Sequence, residues 1–314
     1  MSTWTLTNLD LVEACDDFPY HHDTRGLYTL FLPNDDRPHG YMLPQIVQQM
    51  PWSAEFAVNH ENRTVQLQVS AECPDLSKAC NHAFAAVINK AIDGDIFPTL
   101  HKKHSEMFKI VGSAYPVQCE RFASHLFGIT ARGAHLTVYI TTDTGMRIWV
   151  PRRAQSMFTY PNKLDTTVAG GVPAHQTPFE NIVQEADEEA SLSAELIKRS
   201  VKAAGVLTYI GHSKQGLIVP DQVFVYDLEV GPDIVPVPRD GEVKEFNLMS
   251  VAEVKTALAQ GEFKPNSAVV MLDFFIRHGI ITAENEKNYV EINLHVLVFL
   301  FNQRPVTVIY KICH

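Results

Sequence analysis

The chain has 314 residues, 46% hydrophobic and 20% charged, the make-up of an ordinary globular protein and long enough to favour two domains over one. Its 26 basic against 36 acidic residues leave a net charge of −10, which argues against nucleic acid or a membrane surface as partner but not against a small anion beside a bound cation. No uncharged apolar run approaches the ~20 residues of a membrane helix, and the acidic start, with Asp10, Glu13, Asp16 and Asp17, is unlike a signal or transit peptide, so a cytoplasmic location is expected. The five cysteines include no close pair, which disfavours a disulfide framework or a zinc site.

Residues 1–124 read as a small α+β domain. A strand over Gly26–Leu32 ends at Pro33–Pro38, and Phe56–Val58 pairs with Thr64–Val69 across a polar turn. Asp75 caps a helix with Leu76, Cys80, Phe84, Val87 and Ile88 on one stripe, ended by Asp93-Gly94. His101 and His104 are three apart without a third ligand nearby and read as a solvated loop pair. Nothing in this segment has a spacing that implies chemistry.

Residues 125–292 read as a second domain. His135–Thr141 and Arg147–Val150 form a hairpin, a helix spans Phe179–Ala190, and Gly205–Gly211 and Gln222–Val230 alternate as strands. Phe246–Met249 is a short strand, Ser250 and Glu253 form a capping box before Val251–Ala259, and Pro265 opens a last helix that Gly279 stops. Strands and helices mix without regular βαβ alternation, so the expected class is α/β (α+β), a sandwich on a mixed sheet. Residues 293–314 form an atypical tail in which Val296–Phe301 and Val306–Ile312 have strand-like composition.

Chemistry concentrates in the helix. Six acids fall between Glu180 and Glu195, and Glu185, Glu188 and Glu189 stand at i, i+3 and i+4, so they share a face separate from the stripe of Phe179, Ile182, Val183, Ala186 and Ala190. Such a run is usually a solvated helix face. Here Gly170-Gly171 precedes it after a strand, allowing backbone to approach a ligand, and three like charges on one face call for a hard cation such as Mg²⁺ or Mn²⁺.

The segment Gly170–Leu192 resembles the Nudix box, G-x5-E-x7-R-E-U-x-E-E-x-G-U. Glu185, Glu188 and Glu189 take the core acid positions and Leu192 the closing apolar one, while Gln176 replaces the first Glu, Gln184 the Arg and Ser191 the late Gly. The flanks Ile148–Arg153, Tyr160–Asp165 and Val168–Gly171 are similar to a eukaryotic subgroup that also occurs fused to thiamine pyrophosphokinase, and the stand-alone form is expected here.

The resemblance implies a Nudix-type α/β/α sandwich behind a small α+β domain. It implies Mg²⁺-dependent (or Mn²⁺-dependent) hydrolysis of a small-molecule diphosphate, here damaged or oxidised thiamine diphosphate, to the monophosphate and phosphate. Glu185, Glu188 and Glu189 would hold metal, and Glu185, Glu189 and Glu242 would be catalytic, with Glu245 a second distal acid. Arg152, Arg153, Lys163, Gly170 and Gly171 would bind substrate, and Trp149, Tyr160 and His135 are candidates to stack on a ring. Gln176 and Gln184 also fit a Nudix-fold binding protein without turnover, and hydrolysis of other nucleoside or prenyl diphosphates stays open. So does the oligomeric state.

Overall fold

The computed structural model describes residues 5–18, 26–70 and 73–295. It begins with α1 (Asn8–Glu13), closed by a capping box between Thr7 and Asp10. Strands β1 (Tyr28–Leu32), β2 (Asp35–Met42), β3 (Phe56–Asn59) and β4 (Thr64–Leu67) follow, with α2 (Pro44–Gln49) between β2 and β3. They form one sheet in the order β2-β1-β4-β3. The β3–β4 hairpin has Phe56 opposite Leu67 as the alternation predicts. The strand β2 was not expected, because it runs through Pro38. It is an edge strand, and register shifts around Phe31 place Pro38 opposite that residue, where a missing N–H is tolerated.

Helix α3 (Leu76–Asp93) is capped by Asp75, whose side chain accepts from Lys78 N. Its stripe of Cys80, Phe84, Val87 and Ile88 packs with Leu30, Leu32, Val65 and Leu67 of the sheet to make the first core. A two-stranded ribbon, β5 (Met107–Lys109) and β6 (Gln118–Glu120), and the short α4 (Arg121–Ser124) complete this module. His104 lies in a loop paired with Glu120.

The second module is built on β7 (Ala131–Thr142), β8 (Gly145–Arg153), β9 (Val168–Gly171), β10 (Lys202–His212), β11 (Ile218–Glu229) and β12 (Val243–Ser250), ordered β10-β11-β7-β8-β12 with β9 also on β7. The sheet is mixed: β7 runs parallel to β11 and antiparallel to its other neighbours. One edge of β7 is shared, Gly133–Leu136 pairing with β9 and Tyr139–Thr142 with β8. Thr167 bridges the fork, its hydroxyl accepting from Val138 N (2.8 Å) and donating to Trp149 O (2.6 Å).

Alternation assigns the two faces. Ala134, Leu136 and Val138 of β7 pack on α5 (Pro178–Ala190) and α6 (Ala194–Ser200). Tyr139, Val223 and Val225 pack against α1, α7 (Val251–Ala259) and α8 (Pro265–Arg277). The result is the three-layer α/β/α sandwich expected, preceded by an α+β module.

Two boundaries differ from the sequence reading. Residues 5–18 do not belong with the first module. Leu11 and Val12 enter the second core, Leu6 N donates to Ala259 O (2.8 Å), and Ile210 N donates to Asp16 (3.0 Å). A six-residue amphipathic helix cannot bury its own stripe, and nothing in its sequence says which surface will. In addition, α8 is not the last helix. Helix α9 (Tyr289–His295) follows, buries Ile292 and crosses the expected 292/293 boundary. The strand-like stretches after Leu294 lie outside the described residues.

Candidate active site

Helix α5 starts where its sequence dictates. Thr177 and Glu180 close a capping box and Pro178 occupies the first turn. Ile182, Ala186 and Ala190 are fully buried against the sheet, which leaves Glu185 and Glu189 beside the end of β9 and Glu188 exposed. Glu189 is only 6% exposed and accepts one backbone bond, from Ala169 N (3.0 Å). Glu185 accepts from Asn181 Nδ2 (3.2 Å). It sits so close to β9 that a methyl group on Gly170 would collide with its carboxylate. The glycine is therefore needed for the side chain of Glu185, whatever a ligand requires. The two glutamines that replace the box Glu and Arg bond each other: Gln176 Nε2 donates to Gln184 Oε1 (2.6 Å), and Gln184 Nε2 donates to Glu188 (3.0 Å).

These acids border a cavity of about 530 Å³, within the range of small-molecule sites. Asp240 and Glu242 add further carboxylates to its wall, and Arg132, Arg153 and Lys264 supply cations. Burial, reinforced by the charges of Glu188, Glu242 and Glu106, pushes Glu185 up to about 7 despite the Asn181 bond. Burial and the Glu185 charge drive Glu189 well above the carboxylate range, and burial with Asp240 raises Glu242. The pocket thus holds acids that the protein alone does not neutralise.

The sequence expectation that Glu185, Glu188 and Glu189 converge is met in part. They line one cavity. Yet among the described residues the only trio with ligand atoms all within 4.8 Å of one another is Glu13, Glu291 and His295, outside this cavity. Glu188 also accepts from Gln184 Nε2 (3.0 Å). The donor set itself, three carboxylates with no thiolate or imidazole, suits a hard divalent cation such as Mg²⁺ or Mn²⁺.

Gly170, Gly171, Arg153 and Glu242 also lie in the cavity wall. Arg152 and Lys163 do not, and this corrects the sequence reading. Arg152 donates to Glu262 (3.0 Å) and Asn162 O (3.0 Å), Lys163 donates to Gly261 O (2.5 Å), and both line a separate shallow pocket. Arg152 and Arg153 are consecutive in β8 and their side chains point to opposite faces, Arg152 toward Glu262 and Arg153 toward Asp165. Arg153 is itself engaged by Asp165 (2.9 Å) and Thr159 O (3.1 Å). Of the two distal acids only Glu242 reaches the cavity; Glu245 pairs with Arg152 (3.8 Å). Trp149 and Tyr160 are absent from the cavity wall. His135 is there, buried and bonded to Thr166 Oγ1 (2.8 Å), and burial holds its ring neutral by pushing it down to about 3.

Sequence reasoning missed Asp221, Lys264 and Asn266, which complete this wall. Asp221 carried a signal: an acid inside the apolar strand Ile218–Glu229, and burial pushes it up to about 6. Lys264 and Asn266 flank Pro265 at the start of α8 and offered none. Nor did Glu106, Phe108, Arg121 and Phe122 of the first module, or His125 just after α4.

No family model matches the chain. It is 39% identical over 188 residues to an uncharacterized protein of Saccharomyces cerevisiae, a match covering 56% of this chain and 55% of that one. To Nudix hydrolase 24, chloroplastic, of Arabidopsis thaliana it is 38% identical, covering 53% and 45% of the two chains. To Nudix hydrolase 20, chloroplastic, of the same plant it is 35% identical, covering 65% and 54%. The chain thus spans about half the length of the curated relatives it matches. Similar solved structures include a Deinococcus radiodurans protein (21% identity, 45% of this chain and 81% of that one, TM-score 0.35) and a Nudix hydrolase from M. smegmatis (16%, 48% and 87%, TM-score 0.36). Both Arabidopsis relatives are named Nudix hydrolases, and each match covers about half of the relative.

Proposed function

We propose that the protein is a divalent-metal-dependent pyrophosphohydrolase that cleaves a diphosphate joined to a small organic group, releasing the monophosphate and inorganic phosphate. The observation that carries this is the cavity bordered by Glu185, Glu188 and Glu189, two of them withdrawn from water without a cationic partner among the described residues. Those three carboxylates would hold Mg²⁺ or Mn²⁺, which when bound neutralises diphosphate charge and makes a water easier to deprotonate. Glu242, whose raised affinity for a proton suits a general base, accepts the proton of the attacking water; Glu185 and Glu189 are the nearer alternatives for that role. Arg132, Arg153 and Lys264 offset the anionic charge of the substrate. The water oxygen bonds to phosphorus, a P–O bond breaks, and phosphate leaves.

The substrate class follows from the family resemblance: damaged or oxidised thiamine diphosphate, whose altered heteroaromatic ring (in oxythiamine diphosphate a pyrimidine ring carrying oxygen in place of the amino group) can be told from that of the intact vitamin by ring polarity. The Arabidopsis relatives are both named chloroplastic. Measuring kcat/KM for oxythiamine diphosphate, thiamine diphosphate and ADP-ribose separates the readings. Preference for the oxythiamine compound is expected; preference for ADP-ribose overturns the thiamine assignment and leaves the hydrolase. Tight binding of a diphosphate with no turnover overturns the enzyme.

A further inference from the structure

The acids occupy only part of the cavity wall. Another part is aromatic and comes from two distant segments, Phe108 and Phe122 of the N-terminal module and Phe158 with Met157 after β8. Phe158 is 63% exposed, an apolar cost that its own fold does not recover. It is nevertheless braced. The His101 ring meets Phe158 edge-on at 4.4 Å and Phe122 at 5.2 Å, and Lys103 Nζ lies 5.7 Å from the centroid of each. Neither His101 nor Lys103 lines the cavity, so the two phenylalanines are held by groups outside it.

This wall is fixed in register with the carboxylates through two adjacent glycines. Gly170 makes room for Glu185, and a methyl on Gly171 would stand 2.9 Å from Phe108 Cζ and 3.4 Å from the Arg121 guanidinium, which itself lies over the Phe108 ring at 5.5 Å. The same strand end therefore seats the reacting end of the cavity on one residue and the N-terminal module on the next.

We propose that the N-terminal module is one half of a composite substrate site: Phe122 and Phe158 form the subsite for the organic group, a flat heteroaromatic ring. The inference rests on the diphosphatase reading above and extends it. A diphosphate gains nothing from phenylalanine and is drawn to Arg132, Arg153 and Lys264 of the opposite module, whereas Arg121 on the aromatic side is paired with Glu106. A flat ring buries area against both phenyl groups and gains from aromatic geometry, which an aliphatic chain does not.

The test compares Phe158→Leu and Phe158→Tyr with the parent, since an exposed position tolerates both. For oxythiamine diphosphate, or whichever ring-bearing diphosphate the parent turns over fastest, Leu should raise KM roughly tenfold at unchanged kcat and Tyr should restore it. For dimethylallyl diphosphate, which has no ring, KM should be equal in all three proteins. Phe122→Leu should act in the same direction, and an unchanged KM there removes the N-terminal module from the subsite. Equal losses on ring-bearing and ringless substrates, or no loss on either, overturn the proposal. If the parent hydrolyses nothing, the diphosphatase reading fails separately. Calorimetric binding of oxythiamine monophosphate without metal then decides: affinity lost in Leu and kept in Tyr sustains the subsite, and no binding to the parent overturns it.

Discussion

Glu189 combines near-complete burial with a single backbone donor, so in the metal-free protein its charge is a liability. Glu189→Gln keeps the volume and leaves an oxygen for Ala169 N. The expected outcome is a fall in kcat of about a thousandfold, the scale of a lost metal-bound carboxylate, with a metal-free Tm equal to or above that of the parent by calorimetry. Gly170→Ala acts on the same pair through space. The added methyl meets the flexible end of Glu185 rather than backbone, so stability should fall little while the Mg²⁺ concentration for half-maximal rate rises, about tenfold or more. A third residue, remote from the cavity, sets acid sensitivity. Arg37 donates two side-chain bonds of 2.8 Å to Asp35, and this hydrogen bonding holds the Asp35 carboxyl well below its ordinary range. A group depressed in the folded state contributes stability above its unfolded pKa, near 4, and loses it as pH falls further. Thermal unfolding from pH 5 to pH 2 should show a steeper loss in the parent than in Asp35→Asn, which starts less stable at neutral pH.

Helix α5 shows how an atypical box keeps its shape. Ser191 stands where the pattern has glycine and adopts φ +55°, while Ser191 N and Leu192 N cap the last carbonyls of the helix at Asp187 and Ala186. The left-handed backbone costs a non-glycine residue about 1 kcal/mol, and the Ser191 hydroxyl offsets part of this by donating to Val237 O (2.9 Å). Ser191→Ala should therefore lose roughly 0.5–1 kcal/mol, and Ser191→Gly should stay within about 0.5 kcal/mol of the parent, in urea unfolding. Along the helix, hydrogen bonds link Gln176 to Gln184 and Gln184 to Glu188 where the pattern has a Glu and an Arg. Most elements were legible because their signals are local: the capping box at Ser250, the Asp75 cap, and alternation in β4 and β7. β2 was not, since its proline is acceptable only at an edge and edge position is a tertiary fact. The placement of α1 on the second module is tertiary in the same way.

At the scale of the molecule, the carboxylates could be read from spacing because one helix carries all three, i, i+3 and i+4 apart. Of the cations only Arg153 was singled out in the sequence. Arg132 comes from β7, Arg153 from β8 and Lys264 from the N-cap of α8, and only the tertiary fold brings them to one cavity. Arg152 and Lys163 failed as candidates for the complementary reason: they are near the box in sequence, but strand alternation and the Glu262 and Gly261 contacts turn them to another surface. The aromatic wall depends on the docking of two modules and leaves no periodic trace. Everything functional nonetheless returns to one claim, that the acids of α5 form a metal-dependent hydrolytic centre. The most direct measurement is the initial rate of phosphate release from oxythiamine diphosphate by the parent and by Glu189→Gln, each with Mg²⁺ and after exhaustive EDTA treatment. Release by the parent with Mg²⁺ alone, lost on chelation, restored by added Mg²⁺ and absent from the variant, is the predicted result; equal rates in parent and variant, or full activity surviving EDTA, would contradict it.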